Sequence, residues 1–148
     1  FKSSRYPYCA TAAKEPTESI RGGMAVVPFN EDLNRLMLVV KGTTAKSYKV
    51  TWGTDSKSYT KEQLAKGVNL AADFEVNPFS EAFKKVEDAV LAKQSFETKQ
   101  IKDSFHKLKP GQNIETVAAE TEALRTPLAE AIKKAFVPVT HAVKIVPE

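Results

Sequence analysis

At 148 residues, 42% of them hydrophobic, the chain is long enough to bury one core without disulfide or metal staples. The net charge of +4 is the small excess of 22 basic over 18 acidic residues, scattered among one another. No basic run interleaved with aromatics points to nucleic acid, and no apolar stretch approaches the roughly 20 residues of a membrane helix. The single cysteine, Cys9, can form no internal disulfide, and its neighbours Pro7, Tyr8 and Ala10 bring no metal-ligating group. A small buried or idle thiol is expected there, with neither a metal nor a cofactor.

The chain opens at Phe1, with no initiator Met and no apolar signal segment, which reads as a piece already cut from something longer. Residues 1–22 contain Pro7, Pro16, Gly22 and a polar stretch from Thr11 to Ser19, and read as an irregular arm. Residues 23–148 read as one α+β domain. Its first strand is expected at Met24–Phe29, ending at Pro28, which has no ladder donor. Leu36–Val40 is apolar throughout and reads as a strand covered on both faces. Tyr48, Val50 and Trp52 alternate with Lys49 and Thr51, the period of a half-buried strand that would make a hairpin with Leu36–Val40. Gly53–Lys57 has a turn composition, and Ser58–Tyr59 a short return strand, so 23–60 reads as a β hairpin or meander.

Helix follows, over a short helix and loop at 61–76. Thr60-Lys-Glu-Gln63 fits a capping box, and Gly67 supplies a stop. Asn77-Pro78 can cap a helix running to about Leu108, where Pro110-Gly111 ends it. Asn113 can cap another, with Ile114, Val117, Thr121, Leu124, Leu128, Ala131, Ile132 and Phe136 on one stripe. Pro127 should kink it or restart it behind Thr126. Residues 78–136 thus form a helical hairpin, and 137–148 returns to strand, with His141 read as a strand residue. The expected fold is a small antiparallel sheet packed against the long hairpin, the C-terminal strand rejoining the sheet.

On the first long helix, Phe79, Phe83, Val86, Val90, Ile101, Phe105 and Leu108 share a face that Lys93, Gln94 and Glu97 interrupt. Lys93 and Glu97 read as a modest helix pair, with a polar contact to a ligand or another domain as the alternative. Three fragments imitate a serine esterase: Gly53-Thr54-Asp55-Ser56 a nucleophile block, Gly67-Val68-Asn69 an oxyanion block, and Asp103-Ser-Phe-His106 an acid–base pair. A triad would need Ser56 activated by His106, and His106 oriented by Asp103. The spacing speaks against it, since a short Asp side chain three residues from a His on one helix orients the ring poorly.

The strings Phe29-Asn-Glu-Asp-Leu-Asn-Arg35, Leu38-Val-Val-Lys-Gly42, Tyr48-Lys-Val-Thr-Trp-Gly53 and Glu62-Gln-Leu-Ala-Lys-Gly-Val-Asn-Leu-Ala71 resemble the region that follows the catalytic domain in SGNH, or GDSL, hydrolases of environmental, planctomycete-like bacteria. That resemblance covers about residues 1–108. It implies a non-catalytic accessory part of an ester hydrolase, with the nucleophile and Asp-x-x-His blocks in an upstream catalytic domain or chain, a carbohydrate ester as substrate and an extracytoplasmic location. It carries no catalytic residue onto this chain; Asn34 and Asn69 would cap or brace backbone. A free-standing interaction module is the competing class, in which Trp52, Tyr48 and Tyr59 meet a glycan and Asn69, Lys93, Gln94 and Glu97 are further binding candidates.

Overall fold

A computed structural model describes residues 1–10, 20–24 and 26–148; Ala25 and the polar stretch from Thr11 to Ser19 lie outside the described residues. The fold is α+β, and the chain forms two compact units: residues 1–83 with 138–148, and residues 84–137.

The first unit carries the sheets. β1 is Lys2–Ser3; α1 (Ile20–Met24) and α2 (Phe29–Asp32) are short helices; β2 is Met37–Leu38. β3 (Ser47–Trp52) and β4 (Asp55–Thr60) form an antiparallel hairpin, from Ser47↔Thr60 to Trp52↔Asp55. After it come α3 (Lys61–Lys66), β5 (Val68–Asn69) and α4 (Leu70–Asp73). Tyr48, Val50 and Trp52 are buried and Lys49 is exposed, so the period-2 reading of this strand holds. The connecting Gly53 has φ +70°, and a Cβ there would lie 3.2 Å from Pro78 Cδ, so both conformation and space favour glycine.

Three strand expectations are corrected. Met24–Phe29 is not a strand: Met24 ends α1, Val26 N–H closes a turn on Gly23 C=O at 3.1 Å, and Pro28 sits at the N-cap of α2, where its missing N–H costs nothing. Leu36–Val40 is regular only at Met37–Leu38, and it is covered on one face, since Met37 and Val39 are exposed while Leu36 and Leu38 pack against the core. Its partner is β5, through Met37↔Asn69 and Leu38↔Val68, rather than β3. The return strand β4 is longer than expected because the turn needs only Gly53 and Thr54.

The chain's last segment supplies β6 (Val139–Thr140) and β7 (Val143–Pro147). β6 pairs with β1, and β7 returns to the open side of β3, giving the order β4-β3-β7. The core lies beneath this sheet, where Trp52, Phe74, Phe79, Leu64 and Val50 are fully buried, each worth about 1.5–3 kcal/mol against exposure. Cys9, expected to be small and buried, joins that core, and burial pushes its thiol pKa up, away from the reactive thiolate.

The second unit is the helical hairpin, built mainly from α5, which starts at Ser80 and runs to Lys99, and from α6 (Ile114–Ala135). Gln100–Phe105 extends α5 as a π-helix, with His106 N–H bonding Ile101 C=O at 3.0 Å. Asp103 and His106 therefore do not share a regular α-helix. Val86, Val90, Lys93, Glu97, Phe105 and Leu108 are shielded on the expected face, and Gln100 joins them, while Ile101 of that face is exposed. α6 runs through Pro127 without restarting, and Thr126, rather than capping, donates back to Glu122 C=O at 2.9 Å. Its inward face is Val117, Ala118, Thr121, Arg125, Leu128, Ala129 and Ile132; Ile114, Leu124, Ala131 and Phe136 of the expected stripe are exposed.

Candidate functional site

Of the esterase look-alikes, Ser56 and Asp103 bond to near neighbours in the sequence. Ser56, exposed near the start of β4, shares a 2.8 Å hydrogen bond with Thr51 Oγ1 on β3. Asp103 accepts from Lys107 Nζ at 2.6 Å, which holds its carboxyl below the usual carboxylate range. His106 is exposed where the π-helix ends.

Asn69 braces backbone and has no capacity left for a ligand. Its Oδ1 accepts from Leu36 N–H at 2.9 Å and Ala71 N–H at 3.2 Å, and its Nδ2 donates to Asn30 C=O at 2.8 Å and Asn34 C=O at 2.9 Å. One side chain thereby caps α4 and ties it to the turn before β2. Asn34, 3% exposed, does the same for the N-terminal segment, accepting from Tyr8 N–H at 2.8 Å and donating to Tyr8 C=O at 3.2 Å. Both brace backbone, as their placement in the sequence suggests. Asn77 adds a third brace, accepting from Phe79 N–H at 2.9 Å and donating to Phe74 C=O at 3.1 Å. A cleft of about 230 Å³ lined by Cys9, Asn30, Asn34, Glu75 and Asn77 lies beside these braces, below the roughly 300–1,000 Å³ of ordinary ligand pockets.

The polar break in the hairpin is a network between its two helices. Lys93 pairs with Glu97, as the spacing suggests, and Glu97 also accepts from Arg125 at 3.3 Å across the hairpin. Arg125 is held in turn by Glu122, and Gln100 Nε2 reaches Thr121 Oγ1 at 2.8 Å. Bonding from Lys93 keeps Glu97 below the usual carboxylate range. Gln94 is exposed beside this network.

Trp52 is 0% exposed and presents nothing to a glycan. It belongs instead to an aromatic cluster around His141, a residue whose part sequence reasoning missed. Trp52 Nε1–H donates to His141 Nδ1 at 3.3 Å, and the imidazole lies with its centroid 4.1 Å from Phe79 and 4.8 Å from Phe1. An indole can only donate, so Nδ1 carries the lone pair and the ring's proton is on Nε2. Nε2 is buried and bonds to nothing among the described residues. The signal available was a histidine inside the largely apolar 137–146 run. Among the described residues no group of His, Cys, Asp and Glu could hold a metal ion, and no helix is long and apolar enough to cross a membrane.

Compared with family models, with curated proteins and with solved structures, the chain finds no match in any of the three.

Proposed function

We propose that this chain is a non-catalytic accessory part of an SGNH/GDSL-type ester hydrolase, working beside an upstream catalytic domain or chain outside the cytoplasm. The residue strings at 29–42, 48–53 and 62–71 support the family. The observation that carries the accessory role is the local engagement of two of the three look-alike residues: Ser56 with Thr51, and Asp103 with Lys107. The Lys107 cation competes with any imidazole for the Asp103 carboxylate. The module would cover the active site or bind the polymer carrying the ester; sugar stacking would have to use aromatics other than the buried Trp52, Tyr48 and Tyr59.

Two measurements test this. Purified chain and its Ser56→Ala variant should hydrolyse an activated acetate ester at the same background rate; a Ser56-dependent rate would make the chain an esterase. In its source material the chain should occur at more than its own 16.3 kDa, covalently or as a complex with a hydrolase. A free 16.3 kDa species with no hydrolase attached would favour the free-standing module.

A further inference from the structure

We propose that His141 is an acid-sensitive latch: protonating its imidazole breaks the bond to Trp52 and releases the β1–β6 ladder from the first unit's core. The neutral ring has one acceptor, Nδ1, and Trp52 N–H occupies it. A second proton can go only to Nδ1, where it sets two donors head to head. The ring is 4% exposed, so water cannot solvate the cation in place.

Three elements pack on the imidazole: β3 through Trp52, the segment entering α5 through Phe79, and the β1 end through Phe1. None of these residues presents a carboxylate to the ring. The charged group beside it is the Phe1 α-amino group, which bonds His141 C=O at 3.0 Å and is a cation only where the chain starts at Phe1. Burial holds the imidazole below its ordinary range, and the latch does not depend on the terminal charge. The sign follows. The unfolded or opened chain takes up its proton near the ordinary value of about 6.5, and the closed form does so only at lower pH. The closed state is therefore at full strength above about pH 6.5. Below it, the ratio of open to closed rises, by up to about tenfold per pH unit, until the buried ring itself protonates.

Opening is local because the elements tied to His141 differ in strength. β1 and β6 meet over two residue pairs, Lys2↔Thr140 and Ser3↔Val139, extended by His141 N–H to Phe1 C=O at 2.8 Å. So short a two-stranded ladder is marginal in water unless a core holds it. β7 is paired with β3 at five positions and stays in place. The least costly way to hydrate the protonated ring is to swing out residues 1–3 and 138–142.

Trp52 is the chain's one tryptophan, so its emission reports the latch directly. Titrated from about pH 8 to about pH 5, across the ordinary imidazole range, the emission should change with a midpoint below that of a free imidazole. Over the same range, amide exchange corrected for its intrinsic pH dependence should quicken at residues 1–3 and 138–142 while β3 and β4 stay protected. His141→Phe, which keeps a ring and carries no proton, should lose both responses. Should that variant not fold, imidazole resonances decide. The chain has two histidines, so His106→Gln leaves His141 alone to be followed, and its midpoint should coincide with that of the emission. Emission and exchange that ignore pH, a response that survives His141→Phe, non-coincident midpoints, or equal loss of protection in β3 would each overturn the latch.

Discussion

Asn69 shows how a single side chain can do the work of a strand pair. Its four bonds satisfy two backbone N–H and two backbone C=O groups drawn from Asn30, Asn34, Leu36 and Ala71. Replacing it with an apolar residue of similar size leaves those groups partly buried and unpaired, at about 1–3 kcal/mol for each one that water cannot reach. Asn69→Leu is accordingly expected to lower the stability in urea unfolding by at least about 2 kcal/mol; a loss within error of zero would show that water replaces the amide at little cost. The sequence made this residue visible as a loop brace, because Asn after a Gly stop and before an apolar turn is a capping signal. It did not show His141 in the same way. A lone histidine among valines reads equally as surface or core, and only the approach of Trp52, 89 positions away, decides it. Gly67 lies between those cases. Its positive φ of +107° was legible as a helix stop, but the Val39 and Met37 side chains, 3.2 and 3.3 Å from where a Cβ would stand, come from a strand paired only in three dimensions.

At the scale of elements, local chemistry sets the helix starts and distant partners set the strands. The Thr60 box forms as its four residues suggest: Gln63 N–H donates to Thr60 Oγ1 at 3.2 Å, and Thr60 N–H donates to Gln63 Oε1 at 2.8 Å. The second bond also removes one open donor from the outer edge of β4, so the cap and the edge strand are one device. Thr60→Ala should cost about 1 kcal/mol in thermal unfolding, as lost caps do; a neutral result would mean that water satisfies the first turn of α3. Lys57 on the same strand lies across from the fully buried Val50, yet is itself exposed. A charged residue at such a position discourages another chain from adding to the edge. Met24–Phe29 failed as a strand because an apolar run of this length has no intrinsic period, and Pro28 serves a helix start as readily as it ends a strand. The π-helix at Gln100–Phe105 was likewise illegible, because no local pattern marks one widened turn inside a continuous helix.

For the whole molecule, the two units differ in how they are held together. The first has a continuous buried cluster running from Cys9 to Phe79. The second has one buried residue on α5, Val86, and none on α6, with Leu91, Ile101, Ile114 and Leu124 exposed and an ionic network in the middle of its seam. Partly exposed ion pairs contribute little to stability and are screened by salt, so residues 84–137 alone lack the apolar burial for a cooperative fold. An excised 84–137 segment is expected to melt without a sharp transition when followed by circular dichroism; a steep, concentration-independent transition would mean that the hairpin is self-sufficient. The α+β class, the β3 strand, the capping of α3, the helical hairpin and the strand character of the C-terminal segment were legible from the residues, because they follow from hydrophobic period and cap chemistry within some twenty residues. That β2 pairs with β5, that β7 pairs with β3, that Trp52 is core rather than a binding face, and that His141 is buried with one nitrogen unpartnered among the described residues came from the fold. Each of these depends on which distant segments meet, and burial and pairing energies are properties of the meeting rather than of either segment.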